Sequence, residues 1–164
     1  MSVTTETVMT ATSAFLEGIG VQGTLSTYLL VYSCDTVLDD GRFATCVGIS
    51  PSSELMPPYI MYGLIDEIGG SDPLGTGGDD SVARAIQGSL SQAIGRSAAL
   101  RDFALVAVVE QMHPDGRVTE DVFVIEDGEG LPEFRRRGLA TVGAQAVDEG
   151  CEYDDDDDDD EDDD

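Results

Sequence analysis

Apolar and polar positions alternate along this chain in two rhythms, and the rhythms come in the same order twice. Near the start Val8, Ala11, Phe15 and Ile19 recur at three- and four-residue spacing, which predicts a helix over residues 4–18, ended by Gly18 and Gly20. The period then shortens to two. Residues 27–50 are rich in Val, Ile, Leu and Tyr around Asp39-Asp40-Gly41, the pattern of a hairpin. A helix follows over 57–68, opened by Pro57. The second round places a helix over 80–94, with Val82, Ile86, Leu90, Ala93 and Ile94 as its stripe, Asp79 or Asp80 as its cap and Gly95 as its stop. A hairpin over 103–125 comes next, then a helix over 132–147 opened by Pro132, with Leu131, Phe134, Leu139, Val142 and Ala146 on period.

The recurrence is literal. Sliding the chain along itself by 75 residues aligns 4–68 with 79–143 without a gap and makes thirteen pairs identical, among them Ile19/Ile94, Gly20/Gly95, Leu30/Leu105, Asp40-Gly41-Arg42/Asp115-Gly116-Arg117, Pro57/Pro132 and Gly63-Leu64/Gly138-Leu139. Turn glycines, helix-opening prolines and alternating apolar residues fix a backbone path, so the repeat speaks to fold before chemistry. It reads as a tandem duplication within one pseudo-symmetric domain over 1–150: repeat 1 at 4–68, a linker at 69–78 and repeat 2 at 79–149. Chance reuse of Asp-Gly turns explains poorly why the prolines and Gly-Leu pairs keep the same register.

The turns set the strand register. His113-Pro114-Asp115-Gly116-Arg117 puts proline where a type I turn wants it and glycine at a left-handed position, implying a three-residue loop, and Asp39-Asp40-Gly41 does the same. Paired residue numbers should then sum to 80 in the first hairpin and 230 in the second. Val31 faces Ile49, Ser33 faces Val47, Val106 faces Val124 and Val108 faces Val122, a β-branched patch expected to form the core. The opposite face carries Leu30, Tyr32, Leu105, Ala107, Phe123 and Ile125 and is too apolar for water, so something covers it, another copy being one candidate. The expected fold is α+β: a tandem helix-hairpin-helix duplication forming an antiparallel four-stranded sheet with helices packed on it.

Composition adds a strong charge. Thirty-four acidic residues face eight basic ones, all arginine, and twelve of the acids lie within 152–164, which leaves the rest of the chain acidic as well. Such a surface repels nucleic-acid phosphate and attracts basic proteins, polyamines and divalent cations, so a basic protein, itself a possible nucleic-acid binder, is the expected partner. No apolar stretch is long enough to span a membrane and no secretory pattern opens the chain, which points to the cytoplasm. Three cysteines fit reduced thiols better than a disulfide framework.

The polyacidic segment 151–164 is expected to be disordered. Asp154, Asp155, Asp156, Asp157, Asp158, Asp159, Asp160, Glu161, Asp162, Asp163 and Asp164 form a line of carboxylates that either keeps the protein soluble or mimics the phosphates of DNA in a partner's basic groove. The one basic cluster, Arg135, Arg136 and Arg137, is either a solvated helix face or a place onto which the tail folds, in competition with an anionic ligand.

Other chemistry is thin. The glycine-rich stretch 69–78 lacks the lysine of a phosphate loop and reads as a linker. Cys34 and Cys46 oppose each other in the expected register, but a second pair of soft ligands is missing, so structural thiols and no metal are expected. With His113 alone in a turn and no nucleophile and base at recognisable spacing, the chain does not read as an enzyme, and no cofactor is implied.

Tyr28-Leu29-Leu30-Val31, Asp40-Gly41-Arg42 and residues 57–65 together resemble small hairpin-plus-helix proteins of unknown function from actinobacterial phages. The resemblance implies a phage-encoded protein in the host cytoplasm and carries no functional residues across. A salt-adapted archaeal source would account for the acidity and the missing lysine almost as well. Two functions stand side by side: an acidic binding or regulatory protein that engages a basic partner through surface and tail, and an assembly protein that forms homo-oligomers through the outer sheet face. Any site should lie where the halves differ: Cys34/Cys46 against Val109/Asp121, residues 59–62 against 134–137, and the neutral linker against the acidic tail.

Overall fold

A computed structural model describes residues 3–95 and 97–151. The elements run α1 (Val3–Gly18), β1 (Thr24–Val37), β2 (Phe43–Pro51), α2 (Pro58–Gly70), β3 (Leu74–Gly75), α3 (Ser81–Ala93), β4 (Ala99–Met112), β5 (Val118–Glu126) and α4 (Glu133–Cys151). Both hairpins keep the expected register: Val31 faces Ile49 and Ser33 faces Val47, and Val106 faces Val124 and Val108 faces Val122. The turns close alike. Leu38 N donates to Arg42 O at 2.8 Å and His113 N to Arg117 O at 2.8 Å, while Gly41 and Gly116 sit at φ 83° and 82°, a conformation that glycine adopts without cost.

The hairpins meet through β1 and β4, antiparallel, in a register that sets Leu30 directly opposite Leu105. These two residues are 75 apart, so a residue pairs with its own counterpart. A two-fold relation between the halves would produce that pairing.

The sheet has five strands, in the order β2-β1-β4-β5-β3, rather than the four expected. The fifth comes from the segment read as linker. Leu74 and Gly75 pair in parallel with Ile125 and Glu126, and Gly77 N and Thr76 N donate to Gly128 O and Glu126 O. A Cβ on Gly75 would lie 2.4 Å from Gly128 O, so the close approach of this strand requires glycine. Alternation cannot reveal a two-residue strand, which is why the segment read as loop.

Helices cover both faces of the sheet. Under α1 and α3 lie Tyr28, Leu30, Phe103, Leu105 and Ile125, packed with Phe15, Leu16, Ile86 and Leu90. Under α2 and α4 lie Leu29, Val31, Val106 and Val124, packed with Leu64, Ile65, Ile68 and Leu139. Each such fully buried aliphatic or aromatic side chain contributes about 1.5–3 kcal/mol. The apolar outer face is therefore covered by the chain's own first and third helices, and a second copy is not needed to shield it. That correction removes the surface on which homo-oligomer formation was argued.

The second pair of helices crosses between halves. Helix α4 lies over β2 and β1 of the first half, and α2 reaches β4 and β5 of the second. At one crossing a Cβ on Gly143 would come within 3.1 Å of the Val31 side chain. Neither half encloses its own core.

Candidate functional site

The aspartates and glutamate of 154–164 lie outside the described residues. The arginines do not form a single cationic patch. Arg136 makes a two-pronged pair with Glu126, Nε to Oε1 at 2.6 Å and Nη2 to Oε2 at 3.0 Å, and Glu126 is 0% exposed. Glu126 also accepts from Leu131 N at 2.6 Å, so this carboxylate ties the end of β5 to the start of α4. The pairing with Glu126 raises the Arg136 pKa further above its ordinary value. Arg135 pairs with Asp102 at 3.3 Å and stacks over the Phe134 ring, and Arg137 pairs with Glu133 on the helix surface. The remaining described arginines, Arg42, Arg84, Arg101 and Arg117, are paired too, with Asp40, Asp80, Asp35 and Asp115. Every described cation is thus answered within the chain.

Cys34 and Cys46 do stand opposite each other, as free thiols beneath the α1 and α3 layer. Burial, then the neighbouring Cys46, raises the Cys34 pKa. Among the described residues no group of three His, Cys, Asp or Glu side chains could hold a metal. His113 is engaged in its hairpin with Thr119 Oγ1 at 2.8 Å.

The structure brings together a groove that no motif announced. It runs between α2 and the second hairpin, has a volume of about 580 Å³, and is floored by Ile60, Gly63, Leu64, Val108 and Val122. Glu67, Glu110 and Glu120 stand along it. Tyr59, also in its lining, is 73% exposed. The register sets Glu110 directly opposite Glu120 on the same face, and neither has an ion-pair partner among the described residues. Like charges in that position oppose each other and destabilise the sheet by a few tenths of a kcal/mol to about 1.

The equivalent positions of the other half are filled and neutralised. Where the groove has Ile60 and Thr27, the counterparts are Arg135 and Asp102, which bridge α4 to β4. Where it has Glu110 and Glu120, the counterparts are Asp35 and Thr45, joined at 2.8 Å, with Arg101 on Asp35 at 3.6 Å. Residues 59–62 belong to one of the segments where the halves were seen to differ. Glu110 and Glu120 were missed because alternation marks them only as solvent positions. The signal that finds them is the comparison with Asp35 and Thr45 once the register is fixed.

No protein-family model matches the chain, and no curated protein and no solved structure matches it.

Proposed function

We propose that this chain is an acidic, non-enzymatic binding protein that engages a basic partner protein, itself a nucleic-acid binder, through its acidic surface and its polyaspartate tail. One observation carries the reading: each described arginine is paired with a carboxylate of the same chain, so the remaining acids of the described residues have no arginine among those residues to compensate them. A field of that sign concentrates cationic surfaces and raises their association rate, with steep salt dependence. The tail extends the same charge in the spacing of a phosphate line, which fits a mimic of DNA. The correspondence of β1 with β4 and of β2 with β5 at an offset of 75 supports descent from a tandem duplication.

Affinity capture from lysate with the full chain and with a variant lacking 152–164 tests it. Basic proteins should be captured, should be released between ~0.1 and ~0.5 M salt or by duplex DNA, and should fall with the tail deletion. Capture that is indifferent to salt and to the tail contradicts the reading.

A second reading, assembly of copies, rests on one feature. Strand β2 is an edge of the sheet and carries no charged residue, and Phe43 at its start is 84% exposed. The other edge is covered in part by β3 and bears Glu120 and Asp121. Unprotected edges pair with other strands. A strict monomer by light scattering at micromolar concentration removes this reading.

A further inference from the structure

We propose that the groove between α2 and the second hairpin docks an amphipathic basic helix of the partner protein, apolar side chains down and lysines or arginines on Glu110 and Glu120. The inference rests on the basic-partner reading and gives it a place on the fold.

Three observations meet there. The floor is apolar: Ile60 and Val122 are partly exposed beside buried Leu64 and Val108, an arrangement that leaves hydrocarbon in water until something covers it. Tyr59 stands at the groove with its ring exposed; its counterpart Phe134 is equally exposed and has the Arg135 guanidinium 5.9 Å from its ring centroid. A large, open aromatic of this kind is a common anchor for a bound segment. Finally, Glu110 and Glu120 repel each other across the strands with no ion-pair partner among the described residues. A partner cation set between them would convert an unfavourable pair into a favourable triplet.

Charge selects the occupant. The chain's own tail is polyacidic and would add to the repulsion, and a second copy brings the same net charge of −26 with its described arginines already engaged. Geometry selects the conformation. The opening lies between a helix and a sheet face rather than along a strand edge, which suits a helix presenting side chains at i, i+3, i+4 and i+7.

The experiment uses the full chain and two fluorescein-labelled probes, an amphipathic helical peptide of leucine and lysine and an oligolysine of equal charge, read by fluorescence anisotropy. The leucine-lysine peptide should bind the wild type more tightly than oligolysine does. Glu120→Lys and Ile60→Ser should each weaken that peptide by about tenfold or more and leave oligolysine nearly unchanged. Glu120→Lys gives Glu110 an opposite charge across the strands, so its melting temperature should equal or exceed that of the wild type, which separates lost binding from lost fold. Wild-type affinity for the leucine-lysine peptide in both variants overturns the groove. No preference between the two peptides also overturns it, while oligolysine binding that falls with salt leaves the broader reading standing. Binding of neither peptide to the wild type overturns both.

Discussion

Hairpins β1–β2 and β4–β5 correspond position by position, with the same loop, the same register and an exposed aromatic on the helix that follows each, yet they are closed off by different forces. The second ends in a buried ion pair, Glu126 with Arg136, at positions held in the first by Pro51 and Met61. The helix before the second reaches its strand through Gln87, which donates to Ala98 O at 2.7 Å and accepts from Leu100 N at 2.7 Å. At the matching place α1 has Thr12, whose buried hydroxyl has no hydrogen-bond partner among the described residues. The groove over the second hairpin is open, while its counterpart is bridged by Arg135 and Asp102. A repeated backbone path therefore leaves side chains free to diverge, because turns and alternation fix the path and the positions between them do not.

The largest test of that contrast is the ion pair. Arg136→Ala strands a carboxylate that is wholly inside the protein and should cost about 3–5 kcal/mol in urea unfolding, whereas Met61→Ala, at a half-buried position, should cost about 2 kcal/mol or less. Replacing both partners, Glu126→Leu with Arg136→Met, should recover part of the loss, with Leu131 N left without its acceptor. Equal costs for the two alanine variants would mean that charge does not distinguish the halves.

The helix-to-strand bridge gives effects of opposite sign. Gln87→Ala leaves Leu100 N and Ala98 O without their partner and should cost about 1–2 kcal/mol. Thr12→Val removes an unsatisfied hydroxyl at nearly constant volume and should stabilise by about 1 kcal/mol. If both destabilise, Thr12 is satisfied in solution and the asymmetry at this point is smaller than the geometry indicates.

Alkaline pH should strain one half and spare the other. Burial raises Tyr28 and Tyr32 above the ordinary 10.0 of a phenol and Cys34 above the 9.0 of a thiol, with the neighbouring thiols adding to the shift of Tyr32 and Cys46 adding to that of Cys34. The counterparts are Phe103, Ala107 and Val109, which do not titrate. Because the folded state holds these protons more tightly than the unfolded chain, their contribution is complete below about pH 9 and fades as pH climbs through the thiol and phenol range. Melting temperature followed from pH 8 to 11 should fall, and Tyr32→Phe should make the fall shallower. An unchanged slope would place the alkaline loss elsewhere.

The parts of the fold that repeat were the parts legible in sequence. Gly41 and Gly116 announced both turns, and the turns dictated every cross-strand pair within the hairpins. Strand β3 was hidden because two residues cannot show a period, and the covering of the outer face was hidden because alternation tells that Leu30 and Leu105 avoid water without telling what shields them. The arginine triplet was legible as a cluster at successive helix positions, which point in different directions, but not the three separate acids that take them. The groove needed both facts at once, the register that opposes Glu110 to Glu120 and the helix crossing that brings Ile60 into one groove with Val122.

The most direct test imposes symmetry on the groove. Ile60→Arg with Thr27→Asp places at the open site the residues that bridge its counterpart, where Arg135 meets Asp102 at 3.3 Å. The affinity of the leucine-lysine peptide for this double variant, set beside the wild type at equal salt, decides the matter. A loss of about tenfold or more, with the melting temperature held, is the outcome predicted here. Undiminished binding to the symmetrised protein would show that the difference between the halves is not where a basic partner docks.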